Sequence, residues 1–191
     1  QLASNEEVEP WEQKRDARRQ IVSEDDDLLI AEATTSIPVS PEAAFVMCSR
    51  PDLRRQIVDA DVVEALNKKG AVLEQGSIYH CHHGKDIIVI EIVDWRPGEY
   101  LTVVYQFPFK MTVMETTEFV PYGEGTLVKM RYGQIIYQNL WGNIMSRVIK
   151  SKTQKLFSDA MVRCSANMTK LGQTLLQDNP EIAAGDGNGG N

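Results

Sequence analysis

Between about Val72 and Tyr137 the sequence divides into short runs of alternating β-favouring residues separated by tight turns, and one long amphipathic stretch, about Asn139 to Gln177, follows. This order constrains the fold more than any single motif. Successive hairpins make an antiparallel sheet, and a lone terminal helix must bury its apolar stripe against that sheet. A curved sheet gripping one helix leaves a space between them, and the side chains facing that space decide what the protein does.

Turn chemistry delimits the strands. Ile87 to Trp95 is rich in Ile and Val, Arg96-Pro97-Gly98-Glu99 supplies turn residues, and Tyr100 to Phe107 resumes the β-favouring composition, so the two runs pair as a hairpin. Pro108 breaks the second run. Met111 to Val120 starts a third, and Pro121-Tyr122-Gly123-Glu124-Gly125 turns it into Thr126 to Tyr132. Upstream, Leu28 to Pro38 reads as a first strand, and Ser40-Pro41-Glu42 is a helix start leading into a short helix over Ala43 to Ser49. Pro51 to Lys69 is read as helix, with Asp61 and Glu64 resembling a capping box and Gly70 a stop, although Val62-Val63 also suits a strand.

In the final helix Trp141, Met145, Val148, Leu156, Ala160, Cys164, Met168, Leu171 and Leu175 recur at helical steps and form the apolar stripe. Arg147, Lys150, Lys152, Lys155, Arg163 and Lys170 mostly fall elsewhere, as on a solvated face.

The chain has 191 residues, 42% of them hydrophobic, enough for one sizeable core. Three regions follow: a charged lead-in over 1–27, the folded domain over 28–177 and a Gly/Asn-rich flexible tail over 178–191. The absence of Met at position one, together with that tail, is consistent with a segment of a longer polypeptide, and trimming or processing explains the start equally well. A net charge of -7 argues against nucleic-acid binding, because phosphate contacts need a concentrated Lys and Arg surface. No apolar run reaches membrane-spanning length, so stable membrane insertion is not expected. Cys48, Cys81 and Cys164 are widely spaced and odd in number, which favours free thiols in a reducing, cytoplasmic setting.

The ordered features resemble a family. A strand, the Ser40-Pro41-Glu42 helix start, Gly76-Ser77 leading into a strand, the turn Arg96-Pro97-Gly98-Glu99-Tyr100-Leu101, the hairpin Pro121-Tyr122-Gly123-Glu124-Gly125-Thr126 and the long last helix are together similar to the START-like or Bet v 1-like (SRPBCC) superfamily. Within it they are similar to the bacterial proteins grouped as polyketide cyclase/dehydrase-related. The resemblance spans about Leu28 to Gln177. It implies an α+β helix-grip fold, a curved antiparallel sheet wrapped around the terminal helix, with an apolar cavity that takes lipids, polyketides or other hydrophobic small molecules. Related domains also occur inside multidomain signalling proteins, so an adjoining domain of a longer chain is a second implied partner.

Which residues line the cavity must come from the sequence itself. Tyr79-His80-Cys81-His82-His83-Gly84 holds all three histidines of the protein. On a strand His80 and His82 share one side while Tyr79, Cys81 and His83 share the other, so only one set faces the cavity. A pocket His can hold a polar ligand group or act as acid or base near neutral pH. Glu91, Tyr105 and Glu115 interrupt otherwise apolar or β-branched strands and are the candidate partners. If Val93 and Trp95 point inward, Glu91 does too; an inward Phe119 brings Thr117 and Glu115; an inward Met130 brings Val128 and Tyr132. A buried carboxylate needs a His or Arg partner, and solvated cross-strand acids are the plain alternative. Met130 and Met145, with the other methionines, supply an adaptable lining or simply fill the core.

A strand Cys/His cluster offers at most two ligands on one face, short of the three or four that zinc uses, and nothing in the pattern calls for a metal or other cofactor. The candidate ligand-binding set is therefore His80, His82, His83, Glu91, Tyr105, Glu115, Met130, Tyr132 and Met145, with no catalytic assignment. Binding of a hydrophobic small molecule, as carrier or sensor, ranks first. A cyclase or dehydratase using a pocket His with a carboxylate, and a ligand-free interaction module, are the alternatives.

Overall fold

A computed structural model describes residues 21–22, 29–66, 75–107, 111–137 and 140–178, without the side chains of 134, 137 and 140–153. Most of the expected lead-in and tail therefore lie outside the described residues. The elements are β1 (Ala31–Ile37), α1 (Pro41–Ser49), α2 (Pro51–Ile57), β2 (Val62–Ala65), β3 (Ile78–His83), β4 (Asp86–Arg96), β5 (Tyr100–Phe107), β6 (Met111–Tyr122), β7 (Gly125–Tyr137) and α3 (Leu140–Asp178). The strands form one antiparallel sheet in the order β1-β7-β6-β5-β4-β3-β2, with α3 against β1, β7 and α2. This is the expected helix-grip architecture.

Both expected hairpins form. Glu99 N–H donates to the Arg96 carbonyl at 3.0 Å across a turn with Gly98 at φ 75°, and Gly123 at φ 60° turns β6 into β7. Each of these positions needs the left-handed backbone that glycine adopts without a Cβ clash. The Ser40 hydroxyl caps α1 by accepting from the Ala43 N–H at 3.3 Å, and Pro41 is the first helical residue.

The reading of Pro51 to Lys69 as helix is corrected: the helix stops at Ile57 and Val62–Ala65 is a strand paired with β3. Asp61 caps no helix. Its N–H donates to the His82 carbonyl and its carboxylate accepts from the Gly84 N–H at 2.6 Å, so it ties β2 to the β3–β4 turn. Val62-Val63 and the open edge beside β3 outweighed the local helix signal.

The buried side of α3 also differs in detail. Phe157, Met161, Met168 and Leu171 are buried, whereas Leu156, expected in the stripe, is 59% exposed. Trp141, Met145 and Val148 lie on α3, with side chains outside the described residues. The helix approaches β1 closely where Gly172 faces Ile37 and Pro38, and the Thr35 and Thr169 hydroxyls share a 3.1 Å hydrogen bond. At one end of the interior Phe45 of α1 fills the space against Trp95 and Phe119, with ring centroids 5.3 and 5.9 Å away. Space remains at the other end. No helix among the described residues is long and apolar enough to cross a membrane.

Candidate functional site

The interior space has two parts that share Val58, Tyr105, Tyr132 and Cys164 as walls. The inner part is a chamber of about 20 Å³, room for roughly one water molecule. The outer part is a vestibule of about 290 Å³ between the β3–β4 end of the sheet, the residues after α2 and the 156–164 stretch of α3. Phe107 and Phe157 meet edge to face at 5.7 Å within its walls, and His83, Asp59 and Arg163 stand at its polar positions.

Register decides what faces the chamber. Tyr79 pairs with Ile90, Ile90 with Tyr105, and Tyr105 with Val113, so all four share the inner face. Val103 and Tyr132 both pair with Glu115, and Leu101 and Met130 both pair with Thr117. Tyr105, Glu115, Met130 and Tyr132 thus come together on the inner face and line the chamber. His83 shares that face with Tyr79 and Cys81 but stands farther out, in the vestibule wall.

His80, His82 and Glu91 go the other way. His80 pairs with Val89 and Val89 with exposed Gln106, while Glu91 pairs with Ile78 and Val104, on the outer side of the sheet. His82 Nε2 lies 3.8 Å from Glu64 Oε2, another outer residue. For Glu91 the condition failed through a bulge: the β4–β5 register shifts between Ile92 and Asp94, so Ile90, Ile92 and Trp95 can all face in while Glu91 faces out. These three residues are therefore removed from the cavity lining.

The chamber is organised by a residue the sequence reading did not select. Arg54, 3% exposed on α2, donates from Nη1 to the Cys48 carbonyl at 3.1 Å and from Nη2 to the Tyr105 hydroxyl at 2.7 Å. Tyr105 in turn donates to Glu115 Oε2 at 2.5 Å, and Thr117 donates to Oε1 at 3.0 Å. Tyr132 pairs with Glu115 across the β6–β7 ladder and lines the same chamber. A buried cation and a buried carboxylate are thus joined through one phenol, the arrangement that makes each tolerable in a low-dielectric interior. Arg54 was recoverable in principle, because it precedes the buried Ile57 by one helical turn. Reading Pro51 to Lys69 as one long helix obscured that short buried face.

Burial opposes the charge on Arg54, but Tyr105, Tyr79 and Glu115 around it hold the guanidinium protonated, above its ordinary range. Burial pushes Tyr79, Tyr105 and Tyr132 above the usual phenol value, so all three stay O–H donors. The thiols move the same way: burial raises Cys48 to about 12 and Cys81 and Cys164 to about 11. A thiol that stays protonated is a poor nucleophile. All three cysteines are free. Among the described residues no group of three or more His, Cys, Asp or Glu is placed to hold a metal.

Two buried polar atoms in this region have no protein partner, Arg54 Nε and the Tyr79 hydroxyl. Both carboxyl oxygens of Glu115 are engaged, by Tyr105 and Thr117, so the spare capacity belongs to a donor, Arg54 Nε, and to a hydroxyl, Tyr79, that can donate or accept. With an apolar vestibule outside and donor capacity inside, the site can hold an elongated apolar molecule by one polar atom. The His–carboxylate convergence expected of a proton-shuttling pocket does not occur among the described residues, since Glu115 is met by Tyr105 and Thr117.

No protein-family model matches this sequence, and no curated protein does. Solved structures do match. SA2116 from Staphylococcus aureus, a protein of unknown function, superposes with a TM-score of 0.60 at 16% identity, over 77% of this chain and 94% of that one. XoxI from Bacillus cereus gives 0.57 at 14% identity over 76% and 96%. DynU16, from the dynemicin biosynthetic locus, gives 0.52 at 13% identity, over 73% of this chain and 46% of its own length. Agreement at such low identity is agreement of fold, and with the element order above it shows that the chain has the helix-grip fold.

Proposed function

We propose that the domain binds one hydrophobic small molecule, with the apolar body in the vestibule and a polar end directed at the Arg54–Tyr105–Glu115 chamber. The observation that carries this reading is the pairing of a buried polar network that keeps an unused donor with an adjoining apolar-walled space. Burying a charge pair is costly where only stability is at stake, since well-packed apolar residues commonly do as well. A network left beside a 290 Å³ space is in position to orient a guest. The volume approaches the lower end of the range, roughly 300 Å³, in which small-molecule pockets usually fall.

Native mass spectrometry of protein purified from cells tests the reading directly. The expected result is a retained species of one equivalent that is released on denaturation. Titration with the fluorescent probe 1-anilinonaphthalene-8-sulfonate should saturate at one site, and Phe157→Asp should weaken it by about tenfold or more by placing a charge in the vestibule wall. No retained mass together with no saturable probe binding would refute the proposal.

A further inference from the structure

The outer face of the sheet holds a feature that the pocket does not explain. Val22, which precedes β1, is 2% exposed and lies across that face. Its N–H donates to the Thr116 hydroxyl at 2.8 Å, and Thr116 shares a 3.0 Å hydrogen bond with Thr102; both threonines are fully buried although they point away from the cavity. Gly133 completes the seat. A Cβ there would stand 3.1 Å from Val22 Cγ2, so the side chain of Val22 rests on bare backbone.

The location of this seat is what matters. Thr116 lies between Glu115 and Thr117, and Gly133 follows Tyr132, so each residue that holds Val22 is a direct chain neighbour of a chamber residue. The two strands are irregular at this point. Glu115 pairs with Tyr132 and Val113 with Ile135, so Met114 alone opposes both Gly133 and Gln134. Such a bulge leaves a residue unpaired and locally disrupts the ladder. Behind Tyr132, the buried Arg131 is held by Glu118 at 2.9 Å, which limits how the strand can move elsewhere.

We propose that the seat of Val22 and the ligand chamber are coupled through the β6–β7 bulge, so that occupancy of the chamber is transmitted to the chain leading into β1. The bulge is the two-position element, with Tyr132 and Glu115 biasing it from inside and Val22 from outside. A guest that displaces the Tyr132 side chain in the chamber wall alters the backbone at Gly133, on which Val22 rests. By linkage the effect is reciprocal: loss of the Val22 contact changes the affinity for the guest by the same factor. The inference deepens the ligand-binding reading by naming its output, but its first test needs no ligand.

That test is backbone amide exchange in the full chain, read at Val22 and at core amides such as Val103. Thr116→Val keeps the shape but removes the acceptor, and should speed Val22 exchange by about tenfold or more, while Thr116→Ser should retain protection. Tyr132→Phe alters only the inner face, and should still change Val22 exchange by about fivefold or more with Val103 unchanged. Glu115→Gln serves as a second inner variant if Tyr132→Phe loosens the whole domain. A Val22 amide indifferent to Thr116→Val overturns the seat, and one that responds to Thr116→Val but to neither inner variant overturns the coupling. In the ligand arm, Thr116→Val should shift the affinity for 1-anilinonaphthalene-8-sulfonate by about fivefold, and an unshifted affinity overturns the coupling. If the wild-type chain neither binds the probe nor retains a mass, the ligand-binding reading falls, and the exchange results still decide the coupling.

Discussion

Glu91 and Glu115 stand almost back to back. Glu91 pairs with Val104 of β5 and Glu115 with Val103, consecutive residues whose side chains leave the sheet on opposite sides. Both acids interrupt apolar strands, yet only one became part of a site. Glu91 is partly exposed and needs no protein partner, whereas Glu115, 6% exposed, accepts from Tyr105 and Thr117 with Arg54 one hydroxyl away. The face of the sheet, rather than residue type or composition, assigns chemistry here.

The largest effect that tests this contrast is on stability. Glu115→Leu leaves the Arg54 charge buried without its balancing carboxylate, and urea unfolding should show a loss of about 3–5 kcal/mol. Glu91→Gln should stay within about 0.5 kcal/mol of wild type. Combining Glu115→Leu with Arg54→Met should recover at least about half the loss, because neither charge then remains. Comparable losses from the two single substitutions would abolish the distinction between the faces.

A second effect comes from the buried thiols and phenols, which lie on or against the inner face. The Cys48 thiol is held at about 12 in the folded chain against an ordinary 9.0, so above pH 9 the folded state binds more protons than the unfolded one. Its contribution is complete below pH 9 and is lost as pH rises from there toward 12, and the raised tyrosines add a loss of the same sign. Calorimetry should therefore show a flat melting temperature from pH 7 to 8.5 and a steep fall by pH 11, on the order of 2 kcal/mol from Cys48 alone. Cys48→Ala should flatten part of that fall. A melting temperature rising through this interval would contradict the burial.

What the sequence disclosed and what it hid have the same cause. Period-two alternation and turn residues gave the strands, both hairpins and the terminal helix, because each depends on neighbours along the chain. The inward set Thr117, Glu115, Val128, Met130 and Tyr132 followed from one anchor per strand, since the ladder enforces parity. Parity fails wherever a residue is inserted, and the extra residue at Val93 is invisible without a partner strand; it turned Glu91 outward. The histidine string was ambiguous for a related reason: alternation separated His83 from His80 and His82 but could not say which side met the helix. Arg54 and the 62–65 strand were hidden because their roles are set by residues far away in sequence, the partners Tyr105 and His82 among them.

The histidines provide a smaller test of the same contrast, read in probe affinity. His80→Asn and His82→Gln lie on the outer face and should leave binding of 1-anilinonaphthalene-8-sulfonate within about twofold, with stability within about 0.5 kcal/mol. His83→Gln changes the vestibule wall and should alter the affinity by about three- to tenfold without altering the melting temperature. Equal binding by all three variants would remove the histidine string from the site. A large effect of His80→Asn would instead require the outer face to reach the guest.

The smallest effect is expected where the two faces meet at the vestibule mouth. Asp59 follows α2 with φ 54°, the sole non-glycine residue with positive φ among those described. The Ala60 N–H reaches back to the Arg55 carbonyl at 3.1 Å and the Val58 N–H to the Arg54 carbonyl at 3.0 Å, which makes Asp59 the left-handed residue closing the helix. Glycine is the usual occupant of that position because it has no Cβ to strain. Asp59→Gly should therefore stabilise the fold by about 0.5–1 kcal/mol, despite the greater freedom of glycine in the unfolded chain. The same substitution removes an exposed carboxylate from the vestibule wall that Arg163 also lines. Higher stability with weaker probe binding would show that the aspartate is retained at the mouth for what it does to the guest; higher stability with unchanged binding would make it a plain helix stop; and lower stability would show that its carboxylate contributes more there than its backbone costs.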